Sequence, residues 1–265
     1  MLGKKIRLER ILDRNTQKTV LLPLDHGAGL GPIEGLTDFQ LVETAASSGA
    51  NAVIGHLGLA LHGHRKYGKD IGLILHFSVS TALNSTEPDR KVLVNNVQTA
   101  LKLGADAVSL HLNFGSPSEA TQLGDLGRVA TECLEWGVPL LVMAYPRGPQ
   151  IKDPKAVEMV KIVARSAAEL GADLIKVPFT GDSDSFREVV AGALGVPVVI
   201  AGGAKDDDLT VLKMVEASLQ AGGSGVAMGR NVFQHKSPAN FIKATAAVVH
   251  AGQSAEAAAK EFLAA

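Results

Sequence analysis

The chain has 265 residues and a formal net charge of −1, and α/β barrels often reach this length as a single domain. The small net charge argues against nucleic acid or an anionic membrane as a partner, because binding to either needs a basic excess. A hydrophobic content of 46% excludes a disordered chain, and a single cysteine excludes an intrachain disulfide.

The N-terminal segment, residues 1–15, alternates charged and apolar residues and lacks the uninterrupted apolar core of a signal peptide. No apolar run in the sequence approaches the roughly 18 residues that a membrane-spanning helix needs. We therefore expect a cytoplasmic protein that has no membrane partner. The segment itself is expected either to dock on a neighbouring subunit or to close the bottom of its own domain.

Short apolar runs rich in Val, Ile and Leu recur along the chain, and each is too short for an isolated helix. They predict strands over residues 19–24, 52–54, 72–77, 107–112, 139–144, 173–177, 197–201 and 225–228. Aromatic residues make up only 4% of the chain. A core of aliphatic residues is typical of parallel strands that are buried on both faces.

Segments with helical periodicity separate the runs, and Gly137 and Gly171 are placed to end two of them. The predicted helices cover residues 38–48, 91–103, 123–136, 153–170, 184–194, 208–221, 238–250 and 254–265. Alternating strands and helices predict a single (β/α)₈ TIM-barrel domain over residues 1–265, with 1–15 as an extension and 254–265 as a C-terminal helix. An open doubly wound sheet is the alternative.

In a TIM barrel the active site lies at the C-terminal ends of the strands, so polar residues there are candidates. Lys176 lies within the predicted strand 173–177, and alternation puts it on the same side as Leu174. If that side is the barrel interior, desolvation favours the neutral amine, which can form a Schiff base with a ketone. The alternative is a lysine that is paired with a carboxylate or that reaches solvent.

Two further polar residues end predicted strands. Asp25 follows the first strand and could act as a general base, as the counter-ion of Lys176, or as a cap of the next loop. Tyr145 follows the fifth strand and could relay a proton or simply form part of the wall. Together with Lys176 they would supply a nucleophile, a phenol and a carboxylate at one mouth.

Two glycine-rich corners, at Gly202-Gly203 and at Gly229-Arg230, follow the seventh and eighth predicted strands. The loops after these strands are the usual phosphate site of TIM barrels. Glycine N–H groups can surround a dianion, and Arg230 would add a charged contact. The corners predict a phosphorylated small molecule as ligand, with Arg147 as a further anion contact or a rim charge.

Several histidines raise the question of a metal site. His26, His62, His64 and His111 lie near predicted strand ends, and imidazole is a good zinc ligand. No carboxylate or cysteine follows them at a ligand spacing, so we expect no metal. The GAGLG segment after the first strand lacks the continuation of a dinucleotide fingerprint, so we expect no such cofactor.

The sequence resembles the archaeal-type class I aldolase family along nearly its whole length. The resemblance is carried by the segments LLPLDHG, HGHRKYGKDIGLILH, GADAVSLHLNFGS, AYPRG, LIKVPFTGD, VVIAGG and GVAMGRNVFQH. It implies a homo-oligomer, such as a decamer of two rings, and a reaction that needs no metal.

The resemblance also implies roles for individual residues. Lys176 is the expected Schiff-base lysine, Tyr145 the proton donor and Asp25 the proton acceptor. The family's substrate contacts correspond to Asp25, His26, Gly27, Ala28 and Gly29, to Tyr145, Pro146 and Arg147, and to Gly202, Gly203, Gly229 and Arg230.

The implied substrates are a ketose phosphate and a small aldehyde. The segments GKKIRLERI, HGHRKYGKD and SLHLNFGS favour a transaldolase-like branch. That branch joins L-aspartate semialdehyde to a fragment of 6-deoxy-5-ketofructose phosphate, on an alternative route to 3-dehydroquinate and the aromatic amino acids. Met143 stands where fructose-bisphosphate aldolases of this family tend to carry tryptophan. A class I fructose-bisphosphate aldolase and a non-catalytic phosphosugar-binding barrel are the alternatives.

Overall fold

The computed structural model describes residues 1–37, 39–63, 70–84 and 86–264. Its strands are β1 (Thr19–Pro23), β2 (Ala52–Gly55), β3 (Gly72–His76), β4 (Ser78–Val79), β5 (Val92–Leu93), β6 (Ala107–Phe114), β7 (Leu140–Pro146), β8 (Leu174–Val177), β9 (Val198–Ala201) and β10 (Gly225–Ala227).

The helices run between and around these strands. They are α1 (Leu2–Leu8), α2 (His26–Leu30), α3 (Leu41–Ser48), α4 (Leu57–His62), α5 (Val97–Lys102), α6 (Glu119–Trp136), α7 (Val157–Glu169), α8 (Ser183–Gly192), α9 (Asp208–Gln220), α10 (Arg230–Phe233), α11 (Pro238–Ala251) and α12 (Ala255–Phe262). In the part of the chain that the structure describes, no helix is both long and apolar enough to cross a lipid bilayer.

Eight parallel strands of the described chain close into a barrel in the order β1-β10-β9-β8-β7-β6-β3-β2. β1 pairs with β10 on one side and with β2 on the other, so this sheet has no edge. The predicted (β/α)₈ TIM barrel is confirmed, and the open doubly wound sheet is wrong. All eight predicted strands are present, and their bounds differ from the prediction by at most two residues at either end.

Strand alternation divides the core into two layers. On β8, Leu174 joins the cluster inside the barrel, whereas Ile175 and Val177 belong to the cluster between the sheet and the helices. Because side chains alternate along a strand, Lys176 faces inward like Leu174. Its strand neighbour Met143 on β7 is also part of the interior cluster.

The N-terminal extension closes the bottom of its own barrel. Ile11 and Leu12 are 1% and 6% exposed and join the interior cluster. Arg10 Nε donates to Oδ1 of Asp106 at 2.5 Å, and Lys4 Nζ lies 2.8 Å from Oδ2 of Asp173. Of the two expectations for this segment, closure of its own barrel is the one confirmed.

The predicted helix over residues 91–103 is wrong in its first part. Residues Val92 and Leu93 form β5, which pairs antiparallel with β4, and the helix begins only at Val97. Valine side chains suit an extended backbone, and Asn96 caps the helix by accepting a hydrogen bond from the backbone N–H of Thr99 at 2.9 Å. The β4–β5 hairpin therefore follows the C-terminal end of β3, at the barrel mouth.

Other helix boundaries moved by a few residues. α6 begins at Glu119, before its predicted start, while α7 begins at Val157, after its predicted start. Asp38, the first residue of the helix predicted over 38–48, lies outside the described residues. Gly137 and Gly171 follow α6 and α7 with φ of 63° and 101°, so they end these helices as predicted.

Candidate active site

A cavity of about 480 Å³ opens at the C-terminal ends of the strands. Its walls come from several strand ends and from the β4–β5 hairpin, so residues distant in sequence meet there. The described residues that line it include Asp25, His26, Gly29, His56, His76, Ser78, Ser80, Lys91, His111, Met143, Tyr145, Arg147, Lys176 and Arg230. The structure therefore brings together the three predicted catalytic residues in one chamber.

Lys176 is the buried amine of this cavity. It is 7% exposed, and its position on β8 directs it into the barrel, where it lines the cavity. Among the residues that the structure describes, no carboxylate lies within ion-pair distance of its Nζ, so the amine is not held in a salt bridge there. It is therefore placed for reaction with a carbonyl group inside the chamber.

Asp25 directly follows β1 and precedes α2. Its Oδ2 lies 3.7 Å from Nε2 of His76, and its Oδ1 lies 3.5 Å from Nδ1 of His26. Neither Asp25 Oδ1 nor His26 Nδ1 has a hydrogen-bond partner within the described chain, although both atoms are buried. Buried polar atoms without partners are rare, and here both belong to residues that line the cavity.

The electrostatic environment keeps Asp25 ionised. Burial alone would raise the pKa of this carboxyl, but nearby His76, His26 and Lys176 outweigh burial and lower the pKa to about 2. Burial lowers the pKa of His76 to about 4, against the opposing effect of the Asp25 charge. At neutral pH the pair therefore consists of a carboxylate, which can accept a proton, and a neutral imidazole.

The ring of Tyr145 has one aromatic neighbour, His111, and one cationic neighbour, Arg147. The ring of His111 lies 4.8 Å from the ring of Tyr145 at an angle of 32°, and the guanidinium of Arg147 lies 5.0 Å from the Tyr145 centroid. Nε2 of His111 lies 2.9 Å from Oδ1 of Asn113, whose Nδ2 donates to the carbonyl of Asp89. These contacts fix the direction of the phenol at the cavity wall.

His111 is a neutral partner in this group. Burial lowers its pKa well below the usual value, and the charges of Lys91 and Arg147 act in the same direction. Since the amide nitrogen of Asn113 is the donor to Asp89, its oxygen accepts from His111, and the imidazole carries its proton on Nε2. The tautomer of His111 is thus set by its neighbour rather than by solvent.

The two glycine corners lie side by side, because β9 and β10 pair in the barrel. Arg230 donates to the carbonyl of Gly203 at 3.0 Å, and buried Asn231 donates to the carbonyl of Gly202 at 2.8 Å. Gly229 is closely packed, since a Cβ there would lie 2.6 Å from Cε1 of His26. Arg230 lines the main cavity, whereas Gly202, Gly203 and Gly229 lie beside it and not among its lining residues.

The remaining predicted contacts divide between cavities. His26, Gly29 and Arg147 line the main cavity. Gly27 and Ala28 line a neighbouring space of about 360 Å³. Pro146 lines a third space of about 320 Å³ on the helix side of β7, against residues of α6 and α7. Of the ten predicted substrate contacts, the main cavity therefore holds four, His26, Gly29, Arg147 and Arg230. Pro146 faces the helices because it alternates with Tyr145 along the strand.

Three ionisable residues of the cavity, namely His56, His76 and Lys91, were not predicted from the sequence. His76 ends β3 and His56 directly follows β2. Both therefore lie at strand ends, where polar residues of a TIM barrel are candidates for the active site. Lys91 was hidden by the incorrect helix prediction, which placed it in a helix rather than beside β5. Asn231, which binds the carbonyl of Gly202, was also missed.

The described residues hold no group of three or more His, Cys, Asp or Glu side chains placed to bind a metal ion. His26 and His111 line the main cavity, whereas His62 is exposed at the end of α4. His64, the fourth histidine considered as a ligand, lies outside the described residues.

Comparison with known proteins connects this geometry to a family. The profile of the DeoC/LacD family aldolase matches residues 19–235. A curated relative from Archaeoglobus fulgidus, 2-amino-3,7-dideoxy-D-threo-hept-6-ulosonate synthase 1, is 42% identical over 250 residues, which cover 94% of this chain and 92% of the relative. A relative from Streptomyces griseus, 2-amino-4,5-dihydroxy-6-oxo-7-(phosphonooxy)heptanoate synthase, is 38% identical and covers 94% and 90%.

A solved structure with the same fold gives the clearest chemical parallel. It is an archaeal fructose-1,6-bisphosphate aldolase in which the catalytic lysine is covalently bound to the carbinolamine intermediate of the substrate. The TM-score is 0.83 at 33% sequence identity, over 93% of this chain and 99% of the other.

Proposed function

The chain belongs to the DeoC/LacD family of aldolases, and we propose that it transfers a three-carbon ketone unit from a ketose phosphate to an amino-acid-derived aldehyde through a Schiff base on Lys176. The preferred reaction is that of a 2-amino-3,7-dideoxy-D-threo-hept-6-ulosonate synthase. Its substrates would be L-aspartate semialdehyde and 6-deoxy-5-ketofructose phosphate.

One observation carries the proposal. An inward-facing lysine that is 7% exposed lines the same cavity as a phenol and an ionised carboxylate. These are a nucleophile and two groups that move protons, which are the components that Schiff-base carbon–carbon chemistry needs. A barrel that only binds phosphosugars would need the anion contacts but would have no use for a buried amine that is costly to desolvate.

The names of the two curated relatives support the choice of acceptor. Both describe a seven-carbon acid with an amino group on carbon 2 and a ketone on carbon 6. A bond between carbons 4 and 5 would divide such a product into a four-carbon 2-amino aldehyde and a three-carbon ketone. The two names differ at carbon 7, which is deoxy in one and phosphorylated in the other, so the acceptor is the shared part.

The first half-reaction builds the imine and cleaves the donor. Nζ of Lys176 attacks the ketone carbon, and loss of water gives an iminium that draws electrons from the neighbouring carbon–carbon bond. Asp25, ionised at neutral pH because of its lowered pKa, takes the proton of the donor hydroxyl as this bond breaks. An aldehyde phosphate leaves, and a three-carbon enamine remains on Lys176.

The second half-reaction forms the new bond. The enamine carbon attacks the aldehyde carbon of the acceptor, and Tyr145 gives a proton to the oxygen that becomes the new hydroxyl. Water then adds to the regenerated iminium and releases the product ketone and the free amine. The fixed contacts of Tyr145 with His111 and Arg147 keep its phenol in position through both halves.

Phosphate binding belongs to the glycine corners. Arg230 and the backbone around Gly203 and Gly229 lie where TIM barrels hold phosphate, after the last two barrel strands. The arrangement anchors the donor away from its reacting carbons. A class I fructose-bisphosphate aldolase would use the same corner, and the solved structures at 33% identity favour it as the second candidate. Met143, where the family resemblance implies a tryptophan for fructose-bisphosphate aldolases, favours the transferase.

The family resemblance also supports a homo-oligomer. Light scattering would measure the molar mass of the purified protein in solution and so give its number of subunits.

Reductive trapping tests the function. The chain is incubated with 6-deoxy-5-ketofructose phosphate and borohydride, and its peptides are weighed by mass spectrometry. We expect a stable adduct on the peptide that contains Lys176, and a seven-carbon 2-amino product when L-aspartate semialdehyde replaces the borohydride. Lys176→Met should form neither, whereas Lys155→Met, at an exposed loop position, should form both. Turnover without an adduct, or an adduct on another lysine, would refute the mechanism.

A further inference from the structure

His76 is a polar residue on an otherwise apolar strand of the barrel. Ile74, two positions before it on β3, belongs to the interior hydrophobic cluster, so strand alternation directs His76 inward as well. The residue is 2% exposed and lines the main cavity. Burying an imidazole without partners costs free energy. The contacts of its two ring nitrogens should therefore explain why it is there.

Nδ1 of His76 is held by Ser109. The two residues lie opposite each other in the register of β3 and β6, and Nδ1 is 2.8 Å from Oγ of Ser109. The backbone is fixed as well, because Nδ1 of His56 donates to the carbonyl of His76 at 3.1 Å. Ser109 is fully buried and is not among the residues that line the cavity. Its hydroxyl is thus placed to hold the histidine and not to attack a substrate.

Nε2 of His76 faces the proposed base at 3.7 Å from Oδ2 of Asp25. This is longer than a formed hydrogen bond, and catalytic hydrogen bonds are often long before substrate binds. The charge of the carboxylate favours a proton on Nε2, and Nδ1 then accepts from the hydroxyl of Ser109. Within the described chain the other carboxylate oxygen, Oδ1, is buried without a hydrogen-bond partner. One oxygen of Asp25 therefore faces a donor, and the other is left for the substrate.

The same arrangement prevents His76 from acting as the base itself. With the proton on Nε2, the free lone pair is on Nδ1, which is occupied by Ser109. Burial lowers the pKa of His76 to about 4, so the imidazole is neutral at pH 7 and does not protonate Asp25. A neutral N–H donor can orient a carboxylate and leave it able to accept a proton.

We propose that His76, held by Ser109, is a positioning residue that turns Asp25 so that its Oδ1 receives the proton of the donor hydroxyl. This role rests on the proposed function, in which Asp25 takes that proton as the carbon–carbon bond breaks. A carboxylate that rotates freely presents its lone pairs in many directions, whereas one that is held at Oδ2 presents Oδ1 in one direction. Imine formation on Lys176 comes before this step and should not depend on His76.

Two substitutions separate the contacts of the two ring nitrogens. The side-chain nitrogen of glutamine is as many bonds from Cβ as Nε2 of histidine, and that of asparagine is as many as Nδ1. His76→Gln therefore keeps a donor toward Asp25, and His76→Asn does not. With 6-deoxy-5-ketofructose phosphate and L-aspartate semialdehyde, we expect kcat to fall about 10–100-fold in His76→Asn and less than about 5-fold in His76→Gln. Borohydride should trap the donor on both variants at nearly the unchanged rate.

A double-mutant cycle shows whether His76 acts through Asp25. In an Asp25→Asn background, His76→Asn should lower kcat by less than about 3-fold, because the group that it positions is already lost. A residue that only stabilises the barrel would lower kcat by the same factor in both backgrounds. His250→Asn is the matched control, since this half-buried histidine contacts Thr16 and Asn51 and does not line the cavity. It should leave kcat nearly unchanged.

Ser109→Ala gives a second test that does not alter the cavity wall, and it decides the matter if His76→Asn fails to fold. Loss of this neutral hydrogen bond should lower kcat by about 3–10-fold, again only when Asp25 is present.

The outcomes separate the positioning role from the function on which it rests. Unchanged kcat, an equal loss of kcat and of donor trapping, or full additivity with Asp25→Asn would overturn the role of His76. Transfer by the unchanged chain through an adduct on Lys176 would still uphold the proposed function. If the unchanged chain traps the donor but transfers nothing to the semialdehyde, the proposed function fails, and the role of His76 fails with it.

Discussion

Oδ2 of Asp25 lies 3.7 Å from Nε2 of His76, and Nδ1 of the same imidazole lies 2.8 Å from Oγ of Ser109. Ser109 lies on β6, which pairs with β3. The contact therefore joins two neighbouring strands and holds the imidazole of His76 at its Nδ1. The carboxylate favours a proton on Nε2 of His76, and Nδ1 then accepts from the serine hydroxyl. The proposed base of the reaction is thus oriented by a buried neutral residue that the sequence argument did not identify.

Replacing Asp25 with asparagine removes the proton acceptor and keeps the size of the side chain. We expect kcat for transfer to fall by about 10²–10⁴-fold, because the donor hydroxyl loses its base. The first step needs only the amine of Lys176, so borohydride should still trap the donor. Rapid-quench kinetics together with adduct mass would measure both. An unchanged kcat would show that another group takes the proton.

Tyr145→Phe tests the proton donor separately. The phenyl ring can still pack against His111, but it has no hydroxyl, and we expect a loss of about 10²–10⁴-fold in product formation. If Tyr145 acts in the second half-reaction, the trapped enamine adduct should accumulate when donor and acceptor are both present. Mass spectrometry of the quenched protein would show this. Loss of the donor adduct itself would place Tyr145 in the first half-reaction instead.

The lowered pKa of His76 predicts a pH-dependent stability. Its folded-state pKa of about 4 lies below the ordinary value of 6.5, so between these values the unfolded chain binds a proton that the folded chain does not. Stability should therefore fall as the pH falls from about 6.5 to about 4, by about 3 kcal/mol for this residue. The pKa of Asp25 is lowered from 3.8 to about 2, so this residue changes the stability only at pH values below this range.

Urea unfolding at several pH values would measure that slope. His76→Asn keeps a polar partner for Ser109 and cannot be protonated in this range, so its stability should fall less between pH 7 and pH 5. His62→Asn, at an exposed position, is the matched control. The same slope for His76→Asn as for the unchanged chain would contradict the assignment.

Gly229→Ala should damage the glycine corner. A Cβ at this position would lie 2.6 Å from Cε1 of His26 and 2.7 Å from the carbonyl oxygen of Pro23, so the corner must shift. We expect a loss of stability of about 1–3 kcal/mol and weaker binding of the ketose phosphate. Gly124→Ala on α6 is the matched control, since a Cβ there meets no atom within 4 Å. Calorimetric titration with donor would compare them, and equal affinities would exclude the corner from phosphate binding.

Ile11→Ala separates stability from activity. Ile11 is 1% exposed and plugs the end of the barrel opposite the cavity. Its truncation should lower the free energy of unfolding by about 2–5 kcal/mol while kcat at moderate temperature stays near that of the unchanged chain. Ile6→Ala on α1, which is 54% exposed, should cost under about 0.5 kcal/mol. Denaturant unfolding gives both values, and a small cost at Ile11 would show that the N-terminal segment is not part of the core.

The β4–β5 hairpin shows where sequence patterns reach their limit. The run around Val92 has both helical spacing and β-branched residues. In the structure it pairs antiparallel with β4, and the backbone N–H of Val94 donates to the carbonyl of Phe77 at 2.9 Å. Such a choice depends on the tertiary neighbours of the segment. Because Lys91 was predicted to begin a helix, it was not recognised as a residue of the cavity.

Local patterns in the sequence were enough to predict the eight barrel strands, the helix ends at Gly137 and Gly171, and the shared strand face of Lys176 and Leu174. Those features follow from short-range rules, since side chains alternate along a strand and glycine accepts the left-handed turn that ends a helix. Only the closed barrel decided that Asp25 meets His76 and that Lys91 shares a chamber with Lys176. These relationships join residues far apart in the chain, and their distances and pKa shifts depend on how the strands close and how deeply each group is buried.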